Sequence, residues 1–182
     1  QFDVKGFQYA TTDAVADFSN NEDALRVFIE KNEIDYNDTK ENLIFFNPSN
    51  AKDLGEYGSQ EYNLFNIELL KRHFNVFEIS NISDARDIRK IDLQKNGHVN
   101  VLLNIHGNSN AKYTMSLFNN YEATSDEVLN FVAAYSHKGA KLKILSKACF
   151  GANIHHSNIK LANGSILMSL SDEDNITHVI DY

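Results

Sequence analysis

Residues 99–110 read VNVLLNIHGNSN, and the first seven of them decide the fold. VNVLLNI is an apolar run the length of a strand, and it ends in a Gly/Asn/Ser loop. A strand of this kind needs cover on both faces, as in a parallel sheet. Three further runs resemble it. LIFFN, 43–47, is stopped by the turn signal Asn47-Pro48-Ser49-Asn50. NVFEI spans 75–79, and KLKILSKA spans 141–148.

Helical patterns separate these runs. QEYNLFNIELLKRHF, 60–74, carries Leu64, Phe65, Ile67, Leu70 and Phe74 on one wide face. Residues 84–95 place Ile88 and Ile91 one turn apart. Thr124-x-x-Glu127 is a capping box, and Val128, Phe131, Val132 and Tyr135 follow it in a helix expected to stop at Gly139. A second box, Ser19-x-x-Glu22, opens a helix over 21–32 with Leu25, Phe28 and Ile29. AKYTMSLFN, 111–119, alternates like a short strand or hairpin, and 165–171 and 176–181 are extended candidates. Residues 1–20 have weak pattern and could form an extension or an edge element.

This alternation predicts an α/β fold: a mostly parallel sheet with helices on both faces, joined by right-handed crossovers. With 182 residues, one domain is expected over 41–182, preceded by an extension, 1–40, with one helix. The chain begins with Gln, which reads as a piece of something longer.

Composition narrows the chemistry. A net charge of −8 without a clustered basic face disfavours nucleic acid and an anionic membrane surface. There is no run of 18 apolar residues and no signal peptide pattern. One cysteine excludes an internal disulfide and a Cys-based zinc cluster. It fits a reducing compartment, and a secreted bacterial effector or toxin domain is also compatible. Gly55 and Gly58 lack the phosphate-loop pattern, so nucleotide hydrolysis is not expected. The 23 asparagines fit an AT-rich coding bias and say little about chemistry.

His106 and Cys149 stand out because each follows directly on an apolar strand. In parallel α/β sheets, sites form beyond the carboxyl ends of strands. If the two strands are neighbours, topology alone brings the residues to one edge. A free thiol is mostly protonated at neutral pH, so it needs a base. An imidazole can take that proton and later give it to a leaving amine. Gly107 would let a backbone N–H approach a substrate oxyanion, with the Cys149 N–H as second donor. Gly151 frees the turn after the cysteine. No cofactor is required.

The pair Ile105-His106-Gly107 and Lys147-Ala148-Cys149-Phe150-Gly151 resembles the clan CD cysteine peptidases, which include caspases, legumain, clostripain, gingipains and separase. The likeness covers roughly 43–171 through the order of strands and helices. It implies a three-layer caspase-like sandwich and a thiol protease, a hydrolase with His106 as general acid/base and Cys149 as nucleophile. Gly107 and Cys149 would form the oxyanion hole. Autoprocessing is also implied, with 33–41 and 107–123 as candidate regions. Legumain-like members carry Asp where Ile105 stands, and caspases carry Gln where Lys147 stands, so this is not a caspase proper. The expected partner is a protein or peptide substrate. Lys147 shares a strand face with Cys149 and predicts Asp or Glu before the cut. Asn108 is a candidate contact for substrate backbone.

Two blander expectations stand beside these. A cysteine after a strand is often only a small buried apolar residue. The domain could then be a catalytically inactive binding or scaffold module on the same fold or a flavodoxin-like one. His155-His156 have poor spacing for a metal and read as loop or cleft lining. His73, His98, His137 and His178 read as capping or exposed residues.

Overall fold

A computed structural model describes residues 2–4, 7–9, 22–47, 67–80, 82–114, 122–134 and 140–171. Five parallel strands form the central sheet: β3 (Glu41–Phe46), β4 (Phe74–Ile79), β5 (His98–Leu103), β9 (Lys141–Ser146) and β10 (Ile166–Ser169). Their order across the sheet is β4-β3-β5-β9-β10. The two strands that carry His106 and Cys149 at their ends, β5 and β9, are therefore direct neighbours, in register from His98↔Lys141 to Leu103↔Ser146. A small antiparallel sheet joins β6 (His106–Gly107), β7 (Tyr113–Thr114) and β8 (Glu122–Ala123). A separate hairpin pairs β1 (Phe2–Val4) with β2 (Phe7–Tyr9).

Side-chain alternation splits each central strand between two cores. One face turns Ile44, Phe46, Phe77, Ile79, Val101, Leu103 and Ile144 into the larger core. Helices α1 (Glu22–Asn32), α2 (Ile82–Ile88) and α3 (Ser125–Ala133) cover it through Phe28, Ala85 and Ile88, and Val128, Leu129, Phe131 and Val132. Aromatic rings lock this layer: Phe28 on Phe77 at 5.7 Å and Phe46 on Phe131 at 5.3 Å between centroids. The other face gathers Leu43, Phe45, Val76 and Leu102 against Ile67 of the helical segment 67–71. The chain steps one way along the sheet from β3 to β4 and the opposite way afterwards. With one crossover handedness, the connections then fall on opposite faces. The fold is thus α/β, a parallel sheet with helices on both sides.

Several boundaries differ from the periodicity. The second expected helix ends at residue 71, and Phe74 opens β4 instead of closing that helix. Helix α2 stops at Ile88, and Ile91 and Leu93 are buried from the loop beyond it. Ile91 packs in the same core as Ile88, so the i, i+3 spacing of that pair imitates a helix. The Thr124 box is present as expected, its hydroxyl accepting from Glu127 N and the Glu127 carboxylate accepting from Thr124 N at 2.6 Å. The residues 176–181, the first helix's cap Ser19, Tyr135 and the expected stop at Gly139 lie outside the described residues.

The asparagines carry more structure than a coding bias suggests. Asn75, fully buried, donates to the carbonyls of Asn37 and Lys40 and to Asn42 Oδ1, and accepts from Asn37 N. This ties the loop before β3 to the amino ends of β3 and β4. Asn96 and Gly97 both take positive φ, 56° and 78°, in the tight turn that leads into β5. Asn-Gly suits that geometry better than any other pair.

Candidate active site

The site is built at the carboxyl ends of β5 and β9. Beyond Leu103 the chain passes Asn104 and the buried Ile105 into β6. Ile105 sits in the larger core, which accounts for an apolar residue just before the histidine. Lys147 N donates to Leu103 O at 2.9 Å, extending the β5–β9 pairing one residue past β9. Ala148 follows, fully buried, and then Cys149, half-buried with a free thiol.

Gly107 and Cys149 meet directly. A Cβ built on Gly107 would lie 1.8 Å from the Cys149 carbonyl oxygen and 3.3 Å from the Ala148 Cβ. No side chain fits there. The expected reason for Gly107 was room for a substrate oxyanion. The close approach of its own chain is the stronger constraint, and it fastens the His106 segment to the Cys149 segment. Asn108 N donates to Lys112 O at 2.8 Å in the β6–β7 hairpin. Amides alternate sides in an antiparallel ladder, so the Gly107 N–H faces away from β7. Among the described residues, the Cys149 N–H has no hydrogen-bond partner. Both proposed oxyanion donors are thus left available.

His106 is half-buried, and among the described residues its ring has no hydrogen-bond partner. Neighbours in a strand point to opposite sides, so the ring leaves β6 on the side away from the Gly107–Cys149 contact.

The turn after Cys149 is held unusually. Phe150 takes φ 51°, the left-handed region, where a bulky residue is strained. It leads into a short 3₁₀ helix, Gly151–His156. Tyr113 of β7, fully buried, reaches Gly151 O from the histidine hairpin at 3.5 Å, the long limit for such a bond. Burial pushes its phenol up to about 12, so it stays a donor. Ser169 of β10 donates to the same carbonyl at 3.1 Å. Ser171 accepts from Gly151 N and donates to Ala148 O, both at 2.8 Å. No role was expected for Tyr113 or these serines; the alternation at 111–119 and the extended pattern at 165–171 only placed them in strands.

Lys147 lines a cavity of about 270 Å³ with Phe45, Leu69, Leu70, Leu102, Leu145 and His73. The walls are apolar, and burial pushes the Lys147 ammonium below the usual lysine range. Asn108 stays near the hairpin tip and donates to Glu122 Oε1 at 3.1 Å. Along the same sheet edge, Asn104 donates to Asn47 Oδ1 at 2.9 Å, and Asn47 donates to Glu78 Oε1 at 2.8 Å. This amide ladder lies where the strand order reverses, between β3 and β5.

The other histidines separate clearly. His155 and His156 are exposed on the 3₁₀ helix, and His155 Nε2 lies 3.4 Å from Ser169 Oγ. His73 is exposed beside the cavity. His98 departs from its expected exposure. It is 8% exposed, with Nε2 3.3 Å from Glu41 Oε2, because it opens β5 and turns inward against β3. His137 and His178 lie outside the described residues. Among the described residues, no group of three or more His, Cys, Asp or Glu could hold a metal ion. None of their helices is long and apolar enough to cross a membrane.

No family model, curated protein or solved structure matches the chain.

Proposed function

We propose that this chain is a cysteine endopeptidase with a caspase-like sandwich, working through a Cys149–His106 dyad. The observation that carries this reading is the seating of Gly107 on the Cys149 carbonyl, which joins two segments 42 residues apart. Neighbouring strands and two available backbone donors support it further.

A peptide would lie between the imidazole and the thiol, its scissile carbonyl oxygen toward the N–H groups of Gly107 and Cys149. Cys149 Sγ attacks the carbonyl carbon, and its proton passes to His106. The tetrahedral oxyanion is met by the two amides. The C–N bond breaks, the amine leaves with the proton from His106, and an acyl-thioester remains on Cys149. Water then gives a proton to His106 as it attacks the thioester. The acid departs and the thiol is restored.

Lys147 sets a preference for Asp or Glu before the cut in this reading. An acidic side chain would bring an opposite charge to an ammonium that burial penalises. The loop 33–41 exposes Glu33, Asp35 and Asp38, which suits self-cleavage there. Incubation with a mixed peptide library tests both points. Cleavage after acidic residues that vanishes in Cys149→Ala and in His106→Ala is expected. Cleavage after Arg or Lys alone would remove the Lys147 assignment, and cleavage that persists without Cys149 would remove the dyad.

A non-catalytic binding module draws on one observation. Numbered in chain order, the parallel strands run 2-1-3-4-5, an order shared by flavodoxin-like binding folds whose ligands enter at the reversal point. Here the Asn104–Asn47 bridge crosses that point, which disfavours a ligand there.

A further inference from the structure

Cys149 and Phe150 are the two central residues of a turn whose flanks are Ala148 O and Gly151 N. A side-chain hydroxyl two residues beyond β10 connects those flanks. Ser171 Oγ accepts from Gly151 N at 2.8 Å and donates to Ala148 O at 2.8 Å, using its one proton and one lone pair. Its own carbonyl accepts from Ala152 N at 3.1 Å, so the serine is itself fixed. The clamp encloses the left-handed Phe150, a conformation that persists only when the surroundings over-determine it. Gly151 is packed so closely that a Cβ there would stand 3.2 Å from Ser171 Oγ and 3.6 Å from Ser146 Oγ. Cys149 is thus gripped on one side by Gly107 and on the other by Ser171, while its thiol and N–H carry no part of the clamp.

We propose that Ser171 is a positioning residue for the nucleophile: its hydroxyl closes the Ala148–Gly151 turn and so aims the Cys149 thiol and N–H. This role rests on the peptidase reading. Ser169 grips only Gly151 O, so it holds one end of the turn, whereas Ser171 holds both. Small misplacements of a reacting group cost large factors in rate, which is why one hydroxyl has leverage here.

The test is alkylation of the full chain by iodoacetamide between pH 5 and 9, compared across the wild type, S171A, S171T and H106A. Cys149 is the only thiol, so the signal has one source. We expect wild type and S171T to share a reactive profile that extends below pH 7. S171A, with an unchanged circular dichroism spectrum, should lose roughly ten-fold at pH 7 and take the H106A profile. If S171A does not fold, Ser171→Val, the size of threonine without its hydroxyl, replaces it. A folded hydroxyl-free variant with the wild-type profile overturns the positioning role alone. A wild type indistinguishable from H106A overturns the peptidase reading, and this role with it.

Discussion

One strand, β5, has a histidine at each end. His98 opens it and His106 follows it by three residues. His98 is buried, with Nε2 near the Glu41 carboxylate and Nδ1 near Asn96 O. Around it, Asn100 donates to Glu41 and to Asn42 O. His106 has no such partner among the described residues, and the glycine after it is pressed against the Cys149 carbonyl, next to the strained Phe150. The amino edge of the sheet spends its polar groups on one another. The carboxyl edge leaves selected ones open. A satisfied polar cluster stabilises and is chemically quiet, whereas a site that binds or reacts must hold groups unsatisfied until a substrate arrives.

The contrast predicts that the two edges respond to substitution in opposite ways. The largest effect is on activity. Cys149→Ala or His106→Ala should lower peptide turnover by about 10³-fold or more, with thermal midpoints close to wild type. A large loss of stability in His106→Ala would place that residue with His98 instead. Next comes Gly107→Ala, where a methyl group collides with the Cys149 carbonyl. We expect about 3 kcal/mol of destabilisation in urea unfolding, together with loss of thiol reactivity. At the quiet edge, Asn75→Ala strips the partners of Asn37 and Asn42 and should cost about 2 kcal/mol. Cys149 alkylation in the folded fraction should not change.

The smallest effect is a pH dependence. The Asn100 amide, then Asn96 and His98, hold the Glu41 carboxyl below its usual range. A carboxylate with a lowered folded pKa stabilises the fold above its unfolded value and loses that contribution as pH falls through the folded one. More than a third of the Glu41 side chain is open to solvent, so screening limits the effect to a few tenths of a kcal/mol. Glu41→Gln should slightly flatten the acid side of the stability curve below about pH 4.5.

The sheet was legible because its central strands are apolar on both faces, and both cores use what those runs supply. Strand adjacency then followed for His106 and Cys149 from one assumption, that β5 and β9 are neighbours. Boundaries were less legible. Ile91 and Leu93 are buried without being helical, and periodicity cannot distinguish a helix from a loop pressed on the same core. The supports of the site were hidden for another reason. Tyr113, Ser169 and Ser171 act through tertiary contacts, and no local spacing marks a serine as a clamp. His98 was misread because a histidine beside Asn-Gly looks like part of an exposed turn, although the next residues make it the first of a buried strand.

The two histidines give the most direct test of a shared His106–Cys149 site. The second-order rate constant for alkylating Cys149 at pH 7 should be measured in folded wild type, His106→Ala and His98→Ala. We predict a drop of roughly ten-fold for His106→Ala, as the thiol returns to the few per cent of thiolate that an unassisted cysteine holds, and no change for His98→Ala. Equal rates in all three proteins would contradict the dyad.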